Sequence, residues 1–146
     1  MEEVSRPLYE RDRDLREEEK AIEILCRRGK LAAHKLPMRY EVDYLILQRG
    51  GMYGWAEVKV RPGVERYDTF ILSCAKVMAG RRLAEVFGGR FIVVVRRTDD
   101  MMVLDALSHR PGFVAMGGRT DRGDDQDIEP VAHYWWGQMT RLDIPS

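Results

Sequence analysis

Residues 40–62 read YEVDYLILQRGGMYGWAEVKVRP, two strand-like runs joined at Gly50-Gly51 and closed by Pro62. The pattern predicts a β-hairpin, with glycines supplying the turn and proline ending the second arm. In that arm Trp55, Glu57, Lys59 and Arg61 share one face, while Ala56, Val58 and Val60 share the other. The charged face is either a solvated salt-bridge ladder or a set of groups aimed at one reacting atom.

The first arm, VDYLIL, is apolar on both faces: Val42, Tyr44 and Ile46 on one, Leu45 and Leu47 beside Asp43 on the other. A turn centred between Gly50 and Gly51 sets Asp43 opposite Val58, or opposite Glu57 if one residue bulges. Opposed strand residues hold their Cβ atoms ~5 Å apart, so two carboxylates placed there repel. An ionised Asp43 in such surroundings needs a partner. Two arrangements supply one: a buried ion pair with Lys59, or a divalent cation held jointly with Glu57.

Outward from the hairpin, the spacing of Leu8, Leu15, Ile22, Leu25 and Cys26 predicts a helix from about Pro7 to Arg28, ended by Gly29. KLAAHKLP (30–37) reads as a weak strand. A second helix is expected from about Tyr67 to Phe87, with Ile71, Ala75, Met78, Ala79, Arg82 and Val86 on one side and Gly88-Gly89 as its stop. RFIVVV (90–95) is a β-branched run suited to a strand covered on both faces. MMVLDAL, GFVAMG and VAHYWWGQMT are three further strands, and GGRTDRGDDQD (117–127) is a polar loop. The order implies an α/β (α+β) layer, helices packed on a central sheet, in a single domain over 1–146.

Composition bounds what such a domain does. At 146 residues, 45% hydrophobic and 33% charged, the chain can build a core without staples. No apolar run approaches the ~20 residues of a membrane span, and the acidic start resembles no targeting segment, so a cytoplasmic protein is expected. The net charge of zero argues against a dedicated polyanion coat, but it hides a segregation. Residues 57–97 carry nine basic and four acidic side chains, and residues 98–129 carry three and eight. The basic segment surrounds the charged arm of the hairpin and could hold a polyanion.

Asp43 followed by Glu57-Val58-Lys59 across a hairpin resembles the signature of the PD-(D/E)xK nuclease superfamily, and the flanking text resembles its small phage-type members. Their common core is restriction-endonuclease-like: a helix, three strands, a helix and a strand, with the Asp on the second strand and the ExK on the third. The expected elements follow that plan from about residue 7 to 97, and the later strands are additions around a central mixed sheet. Val42 stands where the motif has its proline.

The resemblance implies a Mg²⁺-dependent nuclease acting on DNA, with Mn²⁺ able to substitute. Asp43, Glu57 and the Val58 carbonyl would ligate the metal, and Lys59 would act on the attacking water. Members often add an acid from the first helix; Glu19, within the stripe of Leu15, Ile22 and Cys26, is expected ahead of Glu23 at its edge. Lys76 on the second helix would approach the scissile phosphate, with Arg61 and Tyr67 at the rim. Exonuclease, endonuclease and junction resolvase stay open.

Two other classes stand beside the enzyme: a noncatalytic nucleic-acid-binding or assembly protein on the same scaffold, and a homo-oligomer built through the Trp135-Trp136 strand. Tyr134 and Trp136 alternate with Trp135 as strand residues do, which suits core or oligomer packing better than base stacking. His34, His109 and His133 lack ligand spacing, so no zinc site is expected. Cys26 and Cys74 are expected to be reduced, packed thiols.

Overall fold

The computed structural model describes residues 2–118 and 128–145, with the side chains of 15–117 and 128–145. The first helix, α1 (Glu2–Gly29), leads into β1 (Leu31–Lys35), β2 (Tyr44–Gln48) and β3 (Gly51–Val60). There follow β4 (Thr69–Ser73), α2 (Cys74–Phe87), β5 (Arg90–Arg96) and β6 (Asp100–Asp105). The chain ends with β7 (Phe113–Gly118), β8 (Ile128–Trp135) and β9 (Thr140–Asp143). A mixed six-stranded sheet has the order β1-β2-β3-β5-β6-β9, and a smaller sheet the order β4-β8-β7.

The hairpin sets the register of the large sheet. Gln48 pairs with Gly51, so the turn is Arg49-Gly50, one residue earlier than the glycine pair suggests. Gly50 has φ 81°, a conformation open to glycine at no steric cost. The register then shifts between Ile46 and Leu47, so that Ile46 pairs with Gly54 and Tyr44 with Ala56. This bulge, with Tyr53 as the extra residue, carries Asp43 to the position opposite Glu57.

β3 pairs in parallel with β5, from Gly54 beside Arg90 to Val60 beside Arg96. A parallel pair needs a crossover, and the segment from β4 through α2 provides it. The expected continuous apolar run is the buried centre of the sheet: Val93, Val94 and Val95 are fully buried. Even-numbered residues of β2, β3 and β5 (Tyr44, Ile46, Ala56, Val58, Ile92, Val94) form one core with Ala21, Ile22 and Leu25 of α1. Odd-numbered ones (Trp55, Phe91, Val93, Val95) form a second core with Val77 and Ala84 of α2 and with Phe70, Leu72, Ala132 and Tyr134 of the small sheet. Each Val, Leu, Ile or Phe side chain among these contributes about 1.5–3 kcal/mol when fully buried.

The second helix differs from expectation in start and in phase. Thr69–Ser73 is β4, paired with β8, because Thr, Phe and Ile find a strand partner there and tertiary pairing overrides helical spacing. Ser73 caps the helix, its hydroxyl accepting from the Ala75 N–H at 3.2 Å. With Ile71 in a strand, the stripe drawn through it no longer applies. Val77, Gly80 and Ala84 face the core, while Met78 and Val86 are exposed. Gly80 fixes that phase, since a Cβ there would run into the Phe91 ring.

VAHYWWGQMT likewise is two strands. A 3-10 turn at Trp136–Gln138 separates β8 in the small sheet from β9 on the edge of the large one. Tyr134 is core and Trp135 is half-exposed. Cys26 and Cys74 are free, half-buried thiols. Most of the polar loop expected at 117–127 lies outside the described residues.

Candidate active site

The charged face of β3 is no solvated ladder. Glu57 is 1% exposed, beneath the layer that holds α2, and Trp55 beside it is buried. Asp43 sits just ahead of β2, with its backbone held on both sides: its N–H donates to the Ala56 carbonyl (3.1 Å) and its carbonyl accepts from the Leu36 N–H (2.9 Å). The side chain then substitutes for the missing ladder, Oδ2 accepting from the Val58 N–H at 2.8 Å. A strand residue's N–H and C=O point to the same side, so the Val58 carbonyl also faces the Asp43 side.

Two ammonium groups serve Glu57. Lys59 Nζ lies 3.3 Å from Glu57 Oε2, and Lys76 Nζ lies 3.9 Å from the same oxygen. Lys76 also donates to the carbonyl of Glu41, a residue in the left-handed region (φ 64°), at 2.7 Å. Glu57 Oε1 is buried with no hydrogen-bond partner. Burial holds the Glu57 carboxyl above its usual range, and the neighbouring Asp43 charge adds to this against the pull of Lys59 and Lys76.

The partner of Asp43 is Lys35, with Nζ 3.4 Å from Oδ1, and not Lys59, the alternative considered from the hairpin. Lys35 also lies 3.5 Å from Glu18 Oε2, an oxygen that is buried without a hydrogen bond. Glu18, not Glu19, is therefore the α1 carboxylate at this site. Glu19 is exposed and, with Glu23, lines a neighbouring recess that also includes Cys26, Leu31, Tyr44 and Lys35 itself. The physical reason is helical phase: the buried stripe is Ala21, Ile22 and Leu25, and Glu18 precedes these by three, four and seven residues. Burial raises the Glu18 carboxyl, and Asp43 raises it further. Neither Glu18 nor Lys35 was picked out by sequence reasoning. The Ala21-Ile22-Leu25 stripe could have found the first, and the pairing of Lys35 with Tyr44 the second.

Lys59, Arg61, Lys76, Ile71 and Ser73 line an open groove of about 660 Å³ next to these carboxylates. Arg61 is exposed at its rim, one N–H donating to the Val60 carbonyl. Tyr67 is outside the groove lining, 56% exposed, its hydroxyl accepting from Arg66 at 3.0 Å.

Among the described residues no three His, Cys, Asp or Glu side chains converge closely enough to hold a metal alone. The set at the start of β2 is different: two carboxylates, one with a buried free oxygen, and a strand carbonyl turned toward the Asp43 side. Hard oxygen donors few in number suit Mg²⁺, which keeps several of its waters. The residues fit such an ion.

A sequence model of the family described as phage putative PDDEXK endonuclease matches residues 4–142. The chain belongs to this family. No curated protein matches the chain. Val42, which stands where the motif resembled in the sequence has its proline, is 3% exposed and packs into the α2-side core.

Proposed function

We propose that the domain is a divalent-metal-dependent deoxyribonuclease that hydrolyses phosphodiester bonds, using Mg²⁺ with Mn²⁺ as a substitute. The observation that carries this reading is Glu57: a carboxylate 1% exposed, one oxygen without a partner, set opposite a second carboxylate. Charge of that kind is not retained in a core without compensation. Asp43 and Glu57 would hold the ion, with the Val58 carbonyl as third protein ligand. When bound, the ion supplies an acidified water and offsets charge building on the phosphate.

The chain's own groups do the rest. Lys59, three donors on a stem fixed by β3, orients the attacking water and neutralises the phosphate oxygen beside it. Lys76 has one N–H on the Glu41 carbonyl and its ammonium 3.9 Å from Glu57 Oε2, and its remaining donor capacity serves the scissile phosphate. Arg61 and, further out, Tyr67 contact flanking phosphates. Glu18 takes the place in the site that the sequence gives to Glu19. DNA is the proposed partner of this groove, which sets Lys59, Arg61 and Lys76 beside Glu41 and Glu129. A cytoplasmic setting accords with the described helices, none of which is long and apolar enough to cross a membrane.

The test is cleavage of labelled single-stranded, duplex and branched DNA with Mg²⁺, Mn²⁺ or EDTA, using Glu57→Gln alongside. Metal-dependent cutting by the parent and none by the variant is expected. No cutting of any substrate under either ion, or equal cutting by Glu57→Gln, would reject the reading.

A further inference from the structure

Three carboxylates and three ammonium groups meet at the start of β2, and the positive charge is shared unevenly. On one side of Asp43, Lys35 bridges two carboxylates from different elements, 3.4 Å from Asp43 Oδ1 and 3.5 Å from Glu18 Oε2. Its ammonium also lies 4.9 Å from the centroid of the Tyr44 ring, whose residue is its cross-strand partner. On the other side, Lys59 and Lys76 both approach Glu57 at the same oxygen, Oε2, and leave Oε1 bare. Among the described residues the ion pair of Asp43 is with Lys35. The gap between Asp43 and Glu18 is thus already bridged by a cation, and the gap between Asp43 and Glu57 is not.

We propose that Lys35 holds the place a second divalent ion would take between Glu18 and Asp43, so that the site binds one ion, between Asp43 and Glu57. Lys35 is then a positioning residue. It fixes Asp43 from the far side and compensates the buried Glu18 oxygen, a task that a second metal ion would otherwise perform. A divalent ion entering beside it would meet a like charge at contact distance, and expelling Lys35 would break both carboxylate contacts and the ring contact together. The inference rests on the divalent-ion reading above and concerns only how many ions bind and what Lys35 does.

Counting bound Mn²⁺ in the absence of DNA, by the loss of the free-ion electron paramagnetic resonance signal and by calorimetry, tests it without reference to activity. One ion per chain is expected for the parent and for Lys35→Arg. Lys35→Met and Lys35→Gln should each bind two, and adding Glu18→Gln to either should return the count to one. Either neutral variant suffices should the other fail to fold by circular dichroism. Two ions of comparable affinity in the parent, or a single ion in a folded neutral variant, would overturn the role of Lys35 and leave the nuclease reading standing. A parent that binds no ion would remove both.

Discussion

At the residue scale, the chemistry turns on the difference between a carboxylate that wants a cation and one that has found it. Glu57 shares Oε2 with two lysines and keeps Oε1 bare beside Asp43, so its ionised form is a cost to the metal-free fold. Glu57→Gln should therefore leave the melting temperature in EDTA unchanged or higher, and should abolish the gain that millimolar Mg²⁺ is expected to give the parent. Thermal melts of both proteins in EDTA and in Mg²⁺ measure this. A lower melting temperature for the variant in EDTA would make Glu57 a structural partner of Lys59 instead. Lys59 touches Glu57 without bridging to Asp43, so it can be removed without dismantling the ligand set. Lys59→Met should lower cleavage at least ~100-fold while Mn²⁺ affinity, measured by calorimetry, stays within a few-fold. Comparable loss of both would place Lys59 among the groups that build the site.

At the element scale, three carboxylates on one helix distinguish an assigned phase from a correct one. Glu18 lies on the Ala21-Ile22-Leu25 face and reaches Lys35, whereas Glu19 and Glu23 are exposed. Glu18→Gln should reduce the rate ~10-fold, about 1.4 kcal/mol of transition-state stabilisation, while Glu19→Gln and Glu23→Gln stay within about twofold. Equal effects from all three would detach the helix from the chemistry. The sequence made the hairpin, the Asp-ExK constellation and the doubly covered β5 legible because the first two are local patterns of period two and the third is a local continuous β-branched run. It misled at α1 because Leu15, Ile22 and Cys26 make a helical stripe displaced to one side of the buried Ala21-Ile22-Leu25 face, with Ile22 common to both. At α2, residues 69–73 carry a helical phase by coincidence, and only the distant β8 reveals them as a strand. Gly80 settles the true phase: Gly80→Ala should destabilise by about 1–3 kcal/mol in chemical denaturation, since Phe91 blocks the added methyl. A neutral result would mean that α2 does not depend on this close approach.

At the scale of the whole molecule, stability depends on pH through two groups of carboxylates that act in opposite senses. Asp100 at the start of β6 accepts from Arg97 at 2.6 and 2.7 Å and from Arg141 of β9 at 2.8 Å, tying the last strand to the sheet. These bonds hold its carboxyl at about 2, below the ordinary 3.8, so its contribution is present above 3.8 and is lost as pH falls through about 2. Glu57 and Glu18 are held above the ordinary 4.5, mainly by burial. Protonation relieves them, so their contribution is fully present below 4.5 and disappears as pH rises through their folded values. In EDTA, acidification from neutral pH toward 4.5 should therefore narrow the stability advantage of a Glu18→Gln/Glu57→Gln variant over the parent, because the parent neutralises the same groups by binding protons. Asp100→Asn should behave in the reverse way, less stable than the parent by about 2 kcal/mol at neutral pH and converging with it only as pH approaches 2. Saturating Mg²⁺ inverts the first comparison. The ion requires ionised carboxylates, so its stabilisation of the parent should grow as pH rises through the Glu57 transition and vanish on acidification. Urea titrations of the three proteins between pH 2 and 7, with EDTA and with Mg²⁺, separate these limbs; a double variant whose difference from the parent is flat across that range in EDTA would show that the cluster at the start of β2 carries no buried charge for an ion to satisfy.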